Sequence, residues 1–247
     1  MRLSKRLETV ASFVPEGSRI ADVGTDHGFV PISLAQKNRI RHGIAIDVRQ
    51  GPLLRAQDHI RSYGLETILE TRLSDGVKQL KPGEADTVIM AGIGGQLTIH
   101  ILEDGKPLWN AVDHWILSPQ SDVEKVRNYL AAHSFAIEKE EMVKEEGMYY
   151  LVMDVVRGSM VSLQPWESFY GPLLIRNNHP VLKEFLEQEK NSLEQILKNL
   201  LEETSEKARK RTDQLKQKLT WIQTAQAAIE FGEQDKNERR KAEIEGE

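Results

Sequence analysis

Apolar positions along the first 160 residues recur in two alternating periods. Leu3, Leu7, Val10, Phe13 and Val14 keep helical spacing and predict an amphipathic helix over 3–14, closed by the turn Pro15-Glu16-Gly17-Ser18. Beyond it, short apolar runs at 19–23, 43–48, 67–73, 86–91 and 114–117 read as strands. The stretches 29–38, 52–62, 96–102 and 122–133 read as the helices between them, with Leu53, Leu54 and Ile60 facing inward and Ser121 or Asp122 as a cap. The run 86–91 is apolar almost throughout, as expected of a strand covered on both faces. Segments 135–141 and 149–157, joined through Glu145-Glu146-Gly147, predict a closing antiparallel pair. Repeated strand–helix units imply an α/β fold, a mostly parallel sheet with helices on both faces.

The pattern changes after Gly158. Pro165, Gly171, Pro172 and Pro180 mark a linker with room for a short helix, and from Val181 to Phe231 the chain has neither Gly nor Pro. Leu193, Ile196 and Leu200 keep 3–4 spacing, as do Leu215, Leu219, Ile222, Gln226 and Ile229, and the apolar anchors lapse around 202–208. This predicts two long helices folded into an antiparallel coiled-coil hairpin; one continuous helix forming a dimer is the alternative. The expected domains are 1–160, a helical hairpin over 161–232, and a charged, frayed tail over 233–247.

Composition narrows the partners. A formal net charge of −5 over 247 residues gives no global basic field, so any grip on a polyanion must be local. The main local cluster is Lys207, Arg209, Lys210 and Arg211, which reads either as a solvated helix face or, at a hairpin tip, as a set of phosphate contacts. Arg2, Lys5 and Arg6 at the first helix carry the same two readings. Without cysteine there is neither a disulfide framework nor a thiolate metal site, and no metal is expected. No apolar run approaches the roughly 18–20 residues of a membrane span, and Met1–Lys5 lacks the apolar core of a signal segment. The expectation is a cytoplasmic protein.

The candidate chemistry lies at the strand ends. Ile20-Ala21-Asp22-Val23-Gly24-Thr25-Asp26-His27-Gly28 has the form of a first strand–turn–helix unit of a nucleotide-binding sheet. A pyrophosphate-binding turn wants glycine where Asp26 stands, and Asp22 and Asp26 would repel a pyrophosphate. The sulfonium and ammonium of S-adenosylmethionine suit the two acids better. Asp47, 23 residues after Gly24, ends the second strand within reach of a ribose. Asp75-Gly76 after the third strand is a turn signature that also suits an adenine pocket. Gly92-Ile93-Gly94-Gly95 after the fourth implies close backbone approach to ligand or substrate. His27 beside Asp26 offers a catalytic pair, with a capping or pocket-lining role as the competing reading. Pro119, Gln120, Tyr149 and Tyr150 are further rim candidates.

Asp22-Val23-Gly24-Thr25-Asp26-His27-Gly28 with Pro31, Leu73-Ser74-Asp75-Gly76 and Ala91-Gly92-Ile93-Gly94-Gly95 together resemble the bacterial tRNA (adenine-N1)-methyltransferases of the TrmK type. The opening Leu3-Ser4-Lys5-Arg6-Leu7 and the coiled-coil end are similar too, so the likeness spans almost the whole chain. It implies a Rossmann-like class I methyltransferase domain with a seven-stranded sheet, S-adenosyl-L-methionine as donor, and in-line methylation of N1 of adenine 22 in tRNA. By resemblance, Gly24, Asp26, Asp47, Asp75 and Gly76 fall in the cofactor site, joined by Asp22 and Gly92 from the residue reading. Asp26, His27 and Gly92–Gly95 fall near the transferred methyl, with Gly94 and Gly95 toward the substrate. Gly28 stands where the family carries a small residue such as Ala, and Ser118-Pro119-Gln120 departs from the family's Gln-Pro order. Two other readings stay open: a class I methyltransferase for another RNA, protein or small molecule, and a non-catalytic coiled-coil adaptor that binds RNA. A monomer is expected, with dimerisation through the coiled coil as the alternative.

Overall fold

The computed structural model describes residues 1–200 and 205–245, with side chains described through Gly232 in the last helix. The chain divides into two units, Met1–Ser162 and Leu163–Glu247, a boundary two residues beyond the expected one.

The first unit runs α1 (Lys5–Phe13), β1 (Ser18–Val23), α2 (Phe29–Gln36), β2 (Ile40–Asp47), α3 (Gln50–Ser62), β3 (Leu69–Leu73), β4 (Thr87–Ala91), α4 (Gly95–Asp104), β5 (His114–Ser118), α5 (Val123–Ala132) and the hairpin β6 (Phe135–Glu145)–β7 (Met148–Arg157). The seven strands form one sheet in the order β3-β2-β1-β4-β5-β7-β6. Strands β1 to β5 are parallel, and β7 runs antiparallel to both β5 and β6. Central β1 is flanked by β2 on one side and β4 on the other, so the direction of winding reverses there. That reversal opens a crevice at the carboxyl ends of these strands.

Local sequence explains the elements. Ser4 caps α1 by accepting from the Leu7 amide at 3.4 Å, and Val10, Ala11 and Phe13 turn into the core. Helix α2 buries Val30, Ile32, Leu34 and Ala35 and stops at Gln36, two residues early, as the chain turns through Asn38 at a φ of 53°. In α3 the inward stripe is Leu53, Ala56 and Ile60; Leu54, expected inside, falls one position off that stripe and is 51% exposed. Asp122 occupies the cap position of α5 but makes no capping bond: its φ of 50° turns the carboxylate to Lys125, at 2.5 Å.

The second unit consists of α6 (Pro165–Tyr170), α7 (Pro172–Arg176), α8 (Pro180–Leu200) and α9 (Glu206–Glu245); the expected linker holds two short helices. Helices α8 and α9 run antiparallel, as shown by Lys218 donating to Glu189 at 2.6 Å and Gln226 to Glu187 at 3.3 Å. Leu182, Leu186 and Leu193 face Ala208, Leu215, Ile222, Ala225 and Ile229 along a buried seam. Two expected seam positions are corrected: Ile196 is 39% exposed, and Gln226 spends its amide on Glu187; Leu200 and Leu219 are half-buried. Ala208 and Ala225, too small to stand out in the sequence, take their places. Phe169 stacks on Trp221 at 4.8 Å, and the Tyr170 hydroxyl donates to Glu189 at 2.9 Å, tying α6 to the hairpin. The α9 backbone is helical to Glu245, through the stretch expected to fray. The loop 201–204 and residues 246–247 lie outside the described residues.

Candidate functional site

The turn after β1 is built by hydrogen bonds that lock it to β2: the amides of Gly24 and Thr25 both donate to the Ile46 carbonyl, at 2.9 and 3.0 Å. Gly24 has a φ of +79°, and a Cβ on it would lie 3.2 Å from the Ile93 side chain, so the turns after β1 and β4 close on each other. Asp22, in central β1, lies in register with Ala45 on one side and Ile89 on the other and is only 7% exposed. Burial among these neighbours pushes its carboxyl up to about 6, against the opposing pull of a hydrogen bond from Thr25.

Asp26 differs sharply. It is exposed, and Arg55 of α3 donates to it at 2.6 Å. That bond, reinforced by the charges of His27, Arg55 and Arg49, holds its carboxyl below the usual range. His27 sits 3.3 Å from Asp26 through Nε2 and stacks on Phe29 with ring centroids 4.9 Å apart. Its carbonyl accepts from His59 Nδ1 at 3.0 Å, while its own Nδ1 is buried without a hydrogen-bond partner.

At the end of β2, Asp47 is 7% exposed and accepts from the Arg49 amide at 2.7 Å. The Ser74 amide donates to the Asp47 carbonyl at 3.0 Å, which draws the turn after β3 alongside. In that turn Asp75 is paired with Lys78 at 2.5 Å; this bond lowers its pKa, and Lys78 also reaches Asp104 at 3.3 Å.

Two adjoining recesses open at these strand ends. The larger, about 440 Å³, is walled by Asp47, Val48, Ser74, Asp75, Gly76 and Ile93 among others. The smaller, about 240 Å³, lies between Arg6, Asp22, Thr25, His27, Phe29 and Ala91, and Gly24 and Asp26 line both. The expected Asp22, Gly24, Asp26, His27, Asp47, Asp75, Gly76 and Gly92 therefore meet along one rim.

Gly94 and Gly95 line neither recess. A Cβ on Gly95 would lie 2.3 Å from the Ser121 carbonyl oxygen and 2.9 Å from that of Asp122, so glycine is required there for α4 to pack on the loop before α5. Its amide donates to Ser121 at 3.0 Å. The close approach at this glycine is to the protein's own backbone.

Of the basic residues at the first helix, Arg2 is exposed, and Lys5 is tied to the β6–β7 hairpin through the Lys144 carbonyl at 3.3 Å. Arg6 turns into the cleft, its guanidinium 5.3 Å from the Tyr150 ring centre, and its Nη1 is buried with no partner. The sequence offers Arg6 as a solvated face or a phosphate contact; no periodicity could reveal that the first helix brings it beside Asp22, Ala91 and Gly92. Lys207, Arg209, Lys210 and Arg211 are exposed at the start of α9, where Ser205 caps the helix, and belong to the second unit.

Residues 3–153 match the family model described as a methyltransferase domain. The tRNA (adenine(22)-N(1))-methyltransferase of Bacillus subtilis (strain 168) is 33% identical over 224 residues, covering 89% of this chain and 92% of the relative. The chain belongs to the TrmK family of tRNA methyltransferases. Among solved structures, TrmK of M. capricolum in complex with S-adenosyl-homocysteine superposes with a TM-score of 0.81 at 26% identity, covering 93% of this chain and all of that one. Streptococcus pneumoniae Sp1610 in complex with S-adenosyl-L-methionine gives 0.82 at 31% identity, covering 91% and 99%. The seven-stranded order with its antiparallel last hairpin is the TrmK fold carried here. The rim residues fit the donor chemically: the acids Asp22, Asp26, Asp47 and Asp75 are of the type that would match its positive centres and hydroxyls, and the unpartnered Arg6 and His27 nitrogens leave polar capacity unused in the smaller recess.

Proposed function

We propose that this protein methylates N1 of adenine 22 in tRNA with S-adenosyl-L-methionine as donor. The gathering of Asp22, Asp26, Asp47 and Asp75 around one crevice, at the point where the sheet reverses its winding, carries the reading. The relatives' names supply the acceptor. When bound, the donor supplies an electrophilic methyl group on its sulfonium.

The protein's own groups divide the remaining work. Asp47 and the Asp75-Gly76 turn receive the ribose and adenine in the larger recess, where Val48 and Ile93 add apolar walls. Asp22 presents negative charge from inside the sheet. Gly92, at a φ of +86°, holds the β4 turn open where the acceptor must approach. Adenine N1 carries a free lone pair at neutral pH, so alignment replaces a strong base. The methylated base is cationic, and Asp26, kept ionised by Arg55, stabilises that charge. N1 lies on the pairing edge, so the base must leave its stack to react. The exposed cluster Lys207–Arg211 at the hairpin tip holds the phosphate backbone, and the hairpin seals its seam internally, in keeping with a monomer working in the cytoplasm on tRNA.

The test is methyl transfer from labelled donor to unmodified tRNA carrying either A or G at position 22, with the modified position mapped by arrest of reverse transcription. Label confined to the A22 substrate is the expected result. Asp26→Asn should lower kcat about 100-fold, and a variant that loses donor binding alone would make Asp26 a cofactor residue instead. Label at another position, or equal label in both tRNAs, refutes the acceptor assignment.

A further inference from the structure

We propose that Gln120 reads the acceptor base, pairing its side-chain amide with N6 and N7 of the target adenine while N1 stays free for the methyl group. The inference rests on the reading of the protein as an adenine-N1 methyltransferase and deepens it by naming a residue that selects the base. The residues placed around the crevice hold the donor or stabilise the product's charge, and none of them tells adenine from another base by its edge.

The loops after β4 and β5 are clamped together beyond the ends of the two strands. The Gly92 amide donates to the Ser118 carbonyl at 3.2 Å, the Gln120 amide to that of Ile93 at 2.9 Å, and the Gly95 amide to that of Ser121 at 3.0 Å. Ser118 and Pro119 are buried within this ladder, and Gln120 emerges from it exposed. A Cβ on Gly92 would lie 3.7 Å from Gln120 Nε2 and 3.5 Å from Arg6 Nη1. Gly92 lines the larger recess and Arg6 the smaller, so the Gln120 amide stands where the two adjoin. Among the described residues that side-chain amide has no hydrogen-bond partner. Gly92, at a φ of +86° and without a side chain, leaves open the space beside it. A free donor and acceptor, set on a backbone that neighbouring loops hold in place, thus face the approach to the reaction centre.

A glutamine amide can pair with adenine along two edges. On the pairing edge it would engage N1 itself and block the transfer. On the other edge it accepts from the N6 amino group, donates to N7 and leaves the N1 lone pair open. The contact also strengthens during the reaction. As the bond from N1 to the methyl carbon forms and the bond from that carbon to sulfur breaks, positive charge passes from sulfur to the ring and its amino group. The N6 hydrogen then becomes a better donor to the Gln120 carbonyl. Guanine presents an oxygen where adenine presents its amino group, so two acceptors would face each other and the base would be refused.

Methyl transfer from labelled donor to tRNA carrying adenosine or 7-deazaadenosine at position 22 tests the assignment. The second base keeps N1 and the amino group and lacks the N7 acceptor. The wild type should show about tenfold lower kcat/KM on the 7-deaza substrate. Gln120→Ala should lower kcat/KM on adenosine about 30-fold and use the two substrates within about twofold of each other. Gln120→Glu, which accepts from N6 but cannot donate to N7, should lose the preference as well. Calorimetric affinity for S-adenosyl-L-methionine should stay within about twofold in both variants, which separates base reading from a defect in folding or donor binding. Equal use of the two bases by the wild type overturns the proposal, and that comparison needs no variant to fold. A tenfold preference that survives in either variant overturns it too, as does a donor affinity that falls along with the rate. Absence of transfer to the adenosine substrate by the wild type would instead refute the acceptor reading itself, and this proposal with it.

Discussion

Replacing Asp22 with Asn should stabilise the unliganded protein while weakening its hold on the donor, and the size of the gain follows from where the carboxylate sits. Asp22 is held in β1 between Ala45 and Ile89, and burial raises its carboxyl from 3.8 to about 6. At 1.36 kcal/mol per pKa unit, ionising it inside the fold costs on the order of 3 kcal/mol more than ionising it in the unfolded chain. Below pH 3.8 the group is protonated in both states and costs nothing. Between there and about 6 the folded state binds the extra proton, so wild-type stability falls as pH rises; above about 7 the full penalty is present. Asparagine cannot ionise and escapes this dependence. Its own burial cost is independent of pH, so it cancels from the slope.

Urea unfolding of both proteins at intervals from pH 4 to pH 8 measures this. The stability of Asp22→Asn minus that of wild type should climb by about 2.4 kcal/mol across the range and level off above neutrality. The same variant should take up S-adenosyl-L-methionine at least tenfold more weakly, having lost the charge that faces the donor's positive centres. A difference that stays flat with pH would refute the claim that Asp22 ionises in a desolvated place.

Replacing Lys207, Arg209, Lys210 and Arg211 together with Ala should weaken tRNA binding and lower the slope of log K against log salt by about 3, with donor affinity unchanged; an unchanged slope, measured by fluorescence anisotropy, places the RNA elsewhere. Gly95→Ala should destabilise the protein by about 1–3 kcal/mol in urea, since the added carbon meets the Ser121 carbonyl at 2.3 Å. Gly94→Ala, which meets only the Ser121 hydroxyl at 3.2 Å, should cost much less, and equal costs would contradict the packing role given to Gly95.

The sheet was legible because its signals are local. The apolar run that became β4 and the acids ending β1 and β2 announce strands and their exits without help from distant residues. The crevice was legible for the same reason, since parallel strands bring their carboxyl ends to one rim whatever the loops do. What the sequence hid depends on contacts between remote segments. Arg6 lies on the first helix, yet its place in the cleft depends on Gly92 and Tyr150, far along the chain. Gly95 reads like Gly92, and only the backbone of Ser121 and Asp122 tells them apart. In the hairpin, Ile196 fits the apolar spacing but faces solvent, while the small Ala208 and Ala225 fill the seam. Side-chain size along a stripe does not reveal which residues the opposite helix will cover.

The buried positions Ala208, Leu215, Ile222 and Ile229 recur every seven residues. At 1.5 Å per residue, one such repeat spans about 10 Å. The hairpin can therefore be shortened or lengthened by whole repeats in both arms without disturbing the match between them. Each step would lengthen or shorten the hairpin itself by about 10 Å and leave the pairing of its two arms intact.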